Sequence, residues 1–242
     1  MPVHRPESQP VGVQEFAREL LAVVEQELRS GRDPLLAHLR KGPLASASLG
    51  RWAAQYYLVV REFARFLSAV HSRCPDFEAR ALIAENIYEE HGRFAEGRDH
   101  PALMRRFGRA IGLTDDAMET ASPLPETTAY IDTLFRLTQA GSYLEGLAAV
   151  GLGVEAVVPR YFALLEPLLR ERYGLTVEDT EFFRVHLTDD VEHAERALAI
   201  IATHACARQA QAAVTQAVRA TQTARARFRD AVYQAAVAAT GS

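Results

Sequence analysis

Cysteine is scarce in this chain of 242 residues, with only Cys74 and Cys206, and no Cys-x-x-Cys pair occurs. Neither a disulfide framework nor a thiolate zinc site is therefore indicated. So little cysteine suits a reducing compartment, and a cytoplasmic location is expected. Basic excess is lacking too. Against 31 acidic residues stand 27 Lys and Arg, a net charge of -4, and no basic patch interleaved with aromatics gives a reason to propose nucleic acid. No uninterrupted run of about 18 apolar residues occurs, so no membrane-spanning helix is expected. Alternating apolar and polar runs, Asn-Gly or Asp-Gly hairpin turns and internal repeats are also absent. Residues 1–10 have no apolar stretch of the signal-peptide kind and carry Pro2, Pro6 and Pro10. They read as a disordered lead-in.

What remains has helical period. Hydrophobic residues make up 48% and charged residues 24%, enough for one large domain over residues 11–242 with a substantial core. Val13, Phe16, Leu20, Val24 and Leu28 recur at i, i+3/4, i+7/8 and predict a first helix ending near Gly31. Asp33-Pro34 caps a short turn of helix. A long second helix is expected from about Ser46 to His71, with Trp52, Tyr56, Val59, Phe63, Phe66 and Val70 on its apolar stripe. A third runs from Phe77 to Glu90, followed by a loop over Gly92–Asp99. Helices are then expected at Ala102–Ile111, from Thr114, at Glu126–Ala140, over Ser142–Tyr173, and from Thr176 to His204. Residues 207–239 are rich in Ala, Gln, Thr and Arg, with a thin apolar stripe of Val214, Val218, Phe228 and Val232. They are read as a helix that either docks, binds a partner or frays. The expectation is an all-α bundle of seven to eight helices.

Polar residues in apolar surroundings are the candidates for chemistry. On one continuous helix, at about 100° per residue, His186, Asp190 and His193 span about 60° of arc. Asp189 serves that geometry equally well. Glu155 is the single carboxylate in the apolar run Gly146–Pro159. Burying it unpaired is very costly, and Pro159 removes the amide that would bond to its carbonyl, so the helix should open there. Glu85, Glu89, Glu90, His91 and His100 cluster around the end of the third helix. Glu62 follows Leu58-Val59-Val60; its plain alternative is an ion pair with Arg61 or Arg65. Mixed carboxylate and imidazole donors suit iron or manganese more than zinc. The paired Glu-x-x-His of ferritin-like bundles and the His-Glu-x-x-His of zinc proteases do not occur.

Three motifs together resemble those of the heme-oxygenase-like diiron oxidases and oxygenases, relatives of the thiaminase-II and pyrroloquinoline-quinone-synthase type folds. They are His186-x3-Asp190-x2-His193, Glu155 in its proline-interrupted helix, and Asn86-x2-Glu89-Glu90-x-Gly92 followed by His100-Pro101-x-Leu103. The resemblance covers about Arg51 to Ile201 and implies a heme-oxygenase-like helical bundle. It implies metal ligation by Glu90, His100, Glu155, His186, Asp190 and His193, with Glu62 where some members carry a further glutamate. The preference for Glu90 over Glu89, and for Asp190 over Asp189, follows the family spacing alone.

By the same resemblance, two Fe(II) ions and O2 are expected. The reaction would be N-oxygenation or oxidative C–C cleavage of a small amine, amino acid or carboxylic acid. A reductase or ferredoxin is a candidate electron source, and the Ala-rich C-terminal segment is a candidate surface for a homodimer. Thr188, Asp189 or Glu192 are expected to orient the imidazoles, and Arg93, Arg160, Arg184 or Tyr161 are candidate anchors for a substrate carboxylate. One branch of the family consumes its own tyrosine to make an aminobenzoate. It carries tyrosines directly before the kinked-helix glutamate and four residues before the first histidine of the last motif. Val154 and Phe182 stand there in this chain, so that activity is not expected. The alternatives are a metal-free small-molecule-binding protein of the thiaminase-II-like fold and a cofactorless oxidase.

Overall fold

The computed structural model describes residues 10–30 and 33–238. Apart from Pro10, the expected lead-in over residues 1–10 lies outside them. The described residues form helices and no strand. In chain order these are α1 (Val13–Ser30), α2 (Pro34–Leu39), α3 (Ser46–Val60), α4 (Phe63–Arg73), α5 (Phe77–Glu90), a 3-10 turn (Gly92–Phe94), α6 (His100–Ala110), α7 (Asp115–Glu119) and α8 (Pro125–Gln139). Then come α9 (Tyr143–Leu147), a π-helical stretch (Ala148–Glu155), α10 (Val158–Tyr173), α11 (Glu181–Val185), α12 (Asp189–His204) and α13 (Arg208–Ala238). Counting α3 with α4, α9 through α10, and α11 with α12 as interrupted rods leaves eight long helices beside the short α2 and α7.

Local chemistry accounts for the ends. Asp33 accepts from the Leu36 amide at 2.8 Å, Asp76 from Ala79 at 2.8 Å and Asp99 from Ala102 at 2.8 Å. Each satisfies an amide that the first turn leaves unpaired. Ser142 and Glu145 form a reciprocal capping box for α9.

Two expected rods are broken. The long second helix divides at Arg61–Glu62, where the Glu62 amide turns to the Val59 carbonyl at 3.1 Å. The expected Thr176–His204 helix divides at His186–Thr188. The Phe182 carbonyl, which a continuous helix would pair with the His186 amide, instead takes the His186 imidazole Nδ1 at 2.6 Å. Just beyond, Asp189, Asp190 and Glu192 crowd the first turn of α12, where carboxylates favour a helix start. Periodicity is blind to both breaks because the apolar stripe resumes in phase.

The segment Tyr143–Tyr173 is long and apolar enough to cross a membrane by composition, yet 72% of its most apolar window is buried in the fold. It is the central rod. The helix opens at Glu155 as its proline predicts. The Ala156 amide reaches back to the Gly151 carbonyl at 2.9 Å, and α10 begins only at Val158. The π stretch packs against α12 and α13. Close approach requires its glycines: a Cβ on Gly151 would collide with Ala197 of α12, and one on Gly153 would lie 2.7 Å from the Thr221 Cβ of α13. The C-terminal segment is a docked helix. Gln211, Val214, Val218, Gln222, Arg225, Phe228 and Val232 form its buried stripe against α8, the π stretch and α3.

Gly151→Val should therefore cost about 2 kcal/mol through overpacking, a fall in Tm of several degrees at about 2–4 °C per kcal/mol. Gly42→Ala, with no atom within 4 Å of the new Cβ, should leave Tm nearly unchanged in the same thermal scans.

Candidate metal centre

Six of the seven candidate ligands converge, in two groups of three. Ligand atoms of Glu90, His100 and His186 lie within 4.8 Å of one another, and so do those of Glu155, Asp190 and His193. The break after α11 makes the division. His186 ends one helix while Asp190 and His193 sit on the next, so the three do not share one face of a continuous helix. They serve two neighbouring groups that border one cavity.

Each donor is delivered by an irregularity. Glu90 is the last residue of α5. The chain then turns through three consecutive left-handed residues, Gly92 (φ 63°), Arg93 (φ 53°) and Phe94 (φ 59°). A Cβ on Gly92 would strike the Arg98 backbone, so only glycine allows the loop to fold back this tightly. The return puts His100 Nδ1 2.8 Å from Glu90 Oε2. Glu181 holds α11 from the other side, ion-paired at 2.6 Å to both Arg98 and Arg106. Phe182 packs its ring against His100 and His186. In the second group, Glu155 closes the π stretch and faces His193 Nδ1 at 3.2 Å, with Asp190 3.9 Å from the same nitrogen.

The hydrogen bonding leaves donor atoms for a cation. His100 Nδ1 and His193 Nδ1 are buried and, despite their short distances to carboxylates, have no hydrogen bond of acceptable geometry. Buried polar atoms are seldom left so. Two of the three histidines are tied at one ring nitrogen, which leaves the other. His186 Nδ1 bonds to the Phe182 carbonyl, which leaves Nε2, and His193 Nε2 bonds to Glu89 at 2.6 Å, which leaves Nδ1. Asn86 donates to Glu155 Oε1 at 2.9 Å. This is the outer support that metal-binding imidazoles and carboxylates characteristically have.

The electrostatics of the metal-free cluster point the same way. Burial raises the Asp190 carboxyl, and Glu155 and Glu90 drive it well above the usual range. Burial also opposes charge on Glu90, but His100, His186 and His193 outweigh it and hold that carboxyl low. His193 resists desolvation because Glu155 and Glu89 face it, and is pushed up to about 9. His100 is raised by Glu90 despite its burial. His186, desolvated and beside His100, is pushed down to about 3. Protons thus occupy places in which a cation would serve the carboxylates better.

Glu62 is the candidate that the fold does not bring in. At the break between α3 and α4 it pairs with Arg65 and, at 3.6 Å, with Arg61, and it faces a different pocket. The expected orienting groups also differ. Thr188 bonds to Asp189 at 2.9 Å and Glu192 to Arg196 at 3.2 Å, whereas Glu89, Asn86 and the Phe182 carbonyl hold the donors. Asn86, Glu89 and Glu90 fall at i, i+3 and i+4 of α5, one helical face; that spacing was the available signal. Of the candidate carboxylate anchors, Arg93 is bound to Glu89, Arg160 lies exposed near Glu25, and Arg184 is exposed.

Metal entry must displace these protons. At pH 7 the binding of Fe(II) or Mn(II) should release protons from His193 and Asp190. His193 is raised in the folded state, so the stabilisation from its charged pairing is full below about pH 6.5 and fades as pH rises through about 9. Metal affinity should rise over that same window. Calorimetric titration in two buffers of different ionisation enthalpy measures the release; identical heats in both would contradict it.

Comparison with known proteins gives the family and the fold. The model of a family described as iron-containing redox enzymes matches residues 50–226. A 4-aminobenzoate synthase of Chlamydia trachomatis serovar D is 33% identical over 162 residues, 66% of this chain and 68% of that one. Another from Nitrosomonas europaea is 32% identical over 205 residues, 80% and 81% of the two chains. In fold, a TenA homologue from Pseudomonas syringae pv. tomato superposes with a TM-score of 0.78 over 97% of both chains at 18% identity. A CADD-like protein of unknown function from Nostoc punctiforme gives 0.76 over 93% of this chain and 99% of that one, also at 18% identity. Chain and site together place this protein in the family of iron-containing redox enzymes, as an oxidoreductase on the all-α heme-oxygenase-like fold.

Proposed function

We propose that the protein is a non-heme diiron oxidase or oxygenase that uses O2 on a small organic substrate, with one Fe(II) in each group of three donors. The observation that carries this reading is the pair of carboxylate–imidazole groups on one cavity, buried except for the half-buried His186, each with a buried histidine Nδ1 lacking a hydrogen bond. The irons would supply O2 activation when bound. Three carboxylates contribute directly, and Glu89, behind His193, adds a fourth negative charge close by.

The chain's own part is positioning. The Phe182 carbonyl fixes His186 with Nε2 available. Glu89 fixes His193 with Nδ1 toward Glu155, and Asn86 fixes the Glu155 carboxylate. Val59, Phe63, Val158, Phe162 and Phe228 wall the cavity. They keep bulk water from the donors and receive the apolar part of a substrate. N-oxygenation or oxidative C–C cleavage of an amine, amino acid or carboxylic acid is the reaction class we assign, with electrons from a reductase or ferredoxin in the cytoplasm.

The names of the relatives favour a second reading, formation of 4-aminobenzoate. In the branch that consumes its own tyrosine, two positions carry tyrosine where this chain has Val154 and Phe182, and both of these line the cavity. We therefore assign an external substrate.

Anaerobic reconstitution should load about two irons per chain, and His186→Ala should remove about one of them. Less than one tightly held iron, unchanged by that substitution, would sink the diiron reading and favour a metal-free binding protein or a cofactorless oxidase. In a separate experiment, protein exposed to Fe(II), O2 and reductant should keep its intact mass and release no 4-aminobenzoate. A mass loss localised to a tyrosine would assign the self-consuming reaction instead.

A further inference from the structure

The cavity beside the metal-binding groups has one Lys or Arg among its described lining residues, Arg225 of α13. Its side chain is buried, with 3% of the residue exposed. A guanidinium at a cavity wall carries five N–H donors in a fixed fork and can offer them to what the cavity holds. Its position there follows from helix register. Thr221, one turn earlier on the same face, is the residue against which Gly153 of the π stretch packs. The close approach that seats Glu155 therefore also aims residue 225 at the cavity.

The surroundings of Arg225 are aromatic. It lies 5.6 Å from the centre of the Tyr161 ring and close enough to Tyr56 for its charge to lower that hydroxyl against the rise that burial causes. Arg229 stacks on the same Tyr161 ring at 5.8 Å and reaches Asp33 at 3.8 Å. The main electrostatic influences on Glu90, His100, His186 and Asp190 come from one another and from neighbouring acids and histidines. Arg225 acts instead on Tyr56, Tyr130 and Tyr161. The cavity thus has an anionic, metal-binding part and a cationic, tyrosine-lined part, with valine and phenylalanine walls.

We propose that Arg225 anchors a carboxylate of the substrate, so that the enzyme takes a small monocarboxylic acid with an apolar body and presents its far end to the metal-binding groups. A planar guanidinium suits this role because it grips a carboxylate through two parallel hydrogen bonds. The assignment deepens the oxygenase reading above and rests on it for the word substrate, but the binding preference itself does not require iron.

The test compares octanoate and 4-phenylbutyrate with octanamide and 4-phenylbutanamide by calorimetry, on metal-free protein and on anaerobic Fe(II)-loaded protein. The carboxylates should bind roughly tenfold tighter or more than their amides in both forms. Arg225→Gln should abolish the preference with iron content unchanged, and Arg225→Lys should keep part of it. Equal binding of acids and amides overturns the proposal. So does a preference that survives Arg225→Gln, or one that appears only in the iron-loaded form, which would assign the carboxylate to the metal. If Arg225→Gln fails to fold, Arg225→Lys decides: it should weaken the preference without removing it, and an unchanged preference overturns the proposal. A carboxylate preference alongside an iron count below one would overturn the diiron reading and leave the Arg225 assignment standing.

Discussion

Three carboxylates and two imidazoles are buried together in an apolar bundle, with the half-buried His186 beside them, and their charge must be compensated largely from within. An isolated ionised group in such surroundings is prohibitively costly. Without metal the groups neutralise one another. Glu90 and His100 form one pair, His193 sits between Glu155 and Glu89, and Asp190 is driven toward its protonated form. Such an arrangement holds the fold together while leaving imidazole nitrogens aimed at carboxylates rather than bonded to them. In the proposed function a bound cation would complete a compensation that protons make only in part.

That requirement explains why the helices are irregular where they are. Side chains on a straight helix radiate at about 100° per residue, so four rods cannot bring six short donors to one place by regular geometry alone. The π stretch brings Glu155 inward, the left-handed turn at Gly92–Phe94 returns His100 to Glu90, and the break at His186–Thr188 lets neighbouring residues serve different groups. Two of the turn's residues are not glycine. Holding Arg93 and Phe94 there costs about 1–2 kcal/mol each, partly offset by the Arg93–Glu89 ion pair. Each departure sits beside a donor, as expected when local backbone strain is tolerated for a site.

The fold is shared with TenA homologues whose sequences are only 17–18% identical, so it does not name the chemistry. The proposed chemistry rests on the donors, and the proposed substrate class on the cavity wall. Val154 and Phe182 give the wall an aliphatic and an aromatic surface without hydroxyls. The long C-terminal helix completes it with Phe228 and Arg225.

The all-α class, most helix ends, and the opening of the helix at Glu155 were legible in the sequence, because periodicity, capping residues and proline act over a few neighbouring residues. The identities of the converging donors were legible as polar residues in apolar runs and in the spacing of their motifs. How they divide was not. His186, Asp190 and His193 fit one helical face, and a break of three residues does not disturb an apolar stripe. Glu62 was the weakest candidate by sequence, with an ion pair to Arg61 or Arg65 as its plain alternative, and the fold forms that pair. Glu89 was a rival ligand by sequence and became, in the fold, the group that holds His193. Arg225 was one arginine among several in an alanine-rich segment. Short-range chemistry in the sequence determined the helices, the kink and the residues able to bind a metal. Tertiary packing alone decided which of them meet, because a side chain's partners across helices depend on register and crossing, set by the closest backbone approaches, such as Gly151 on Ala197 and Gly153 on Thr221.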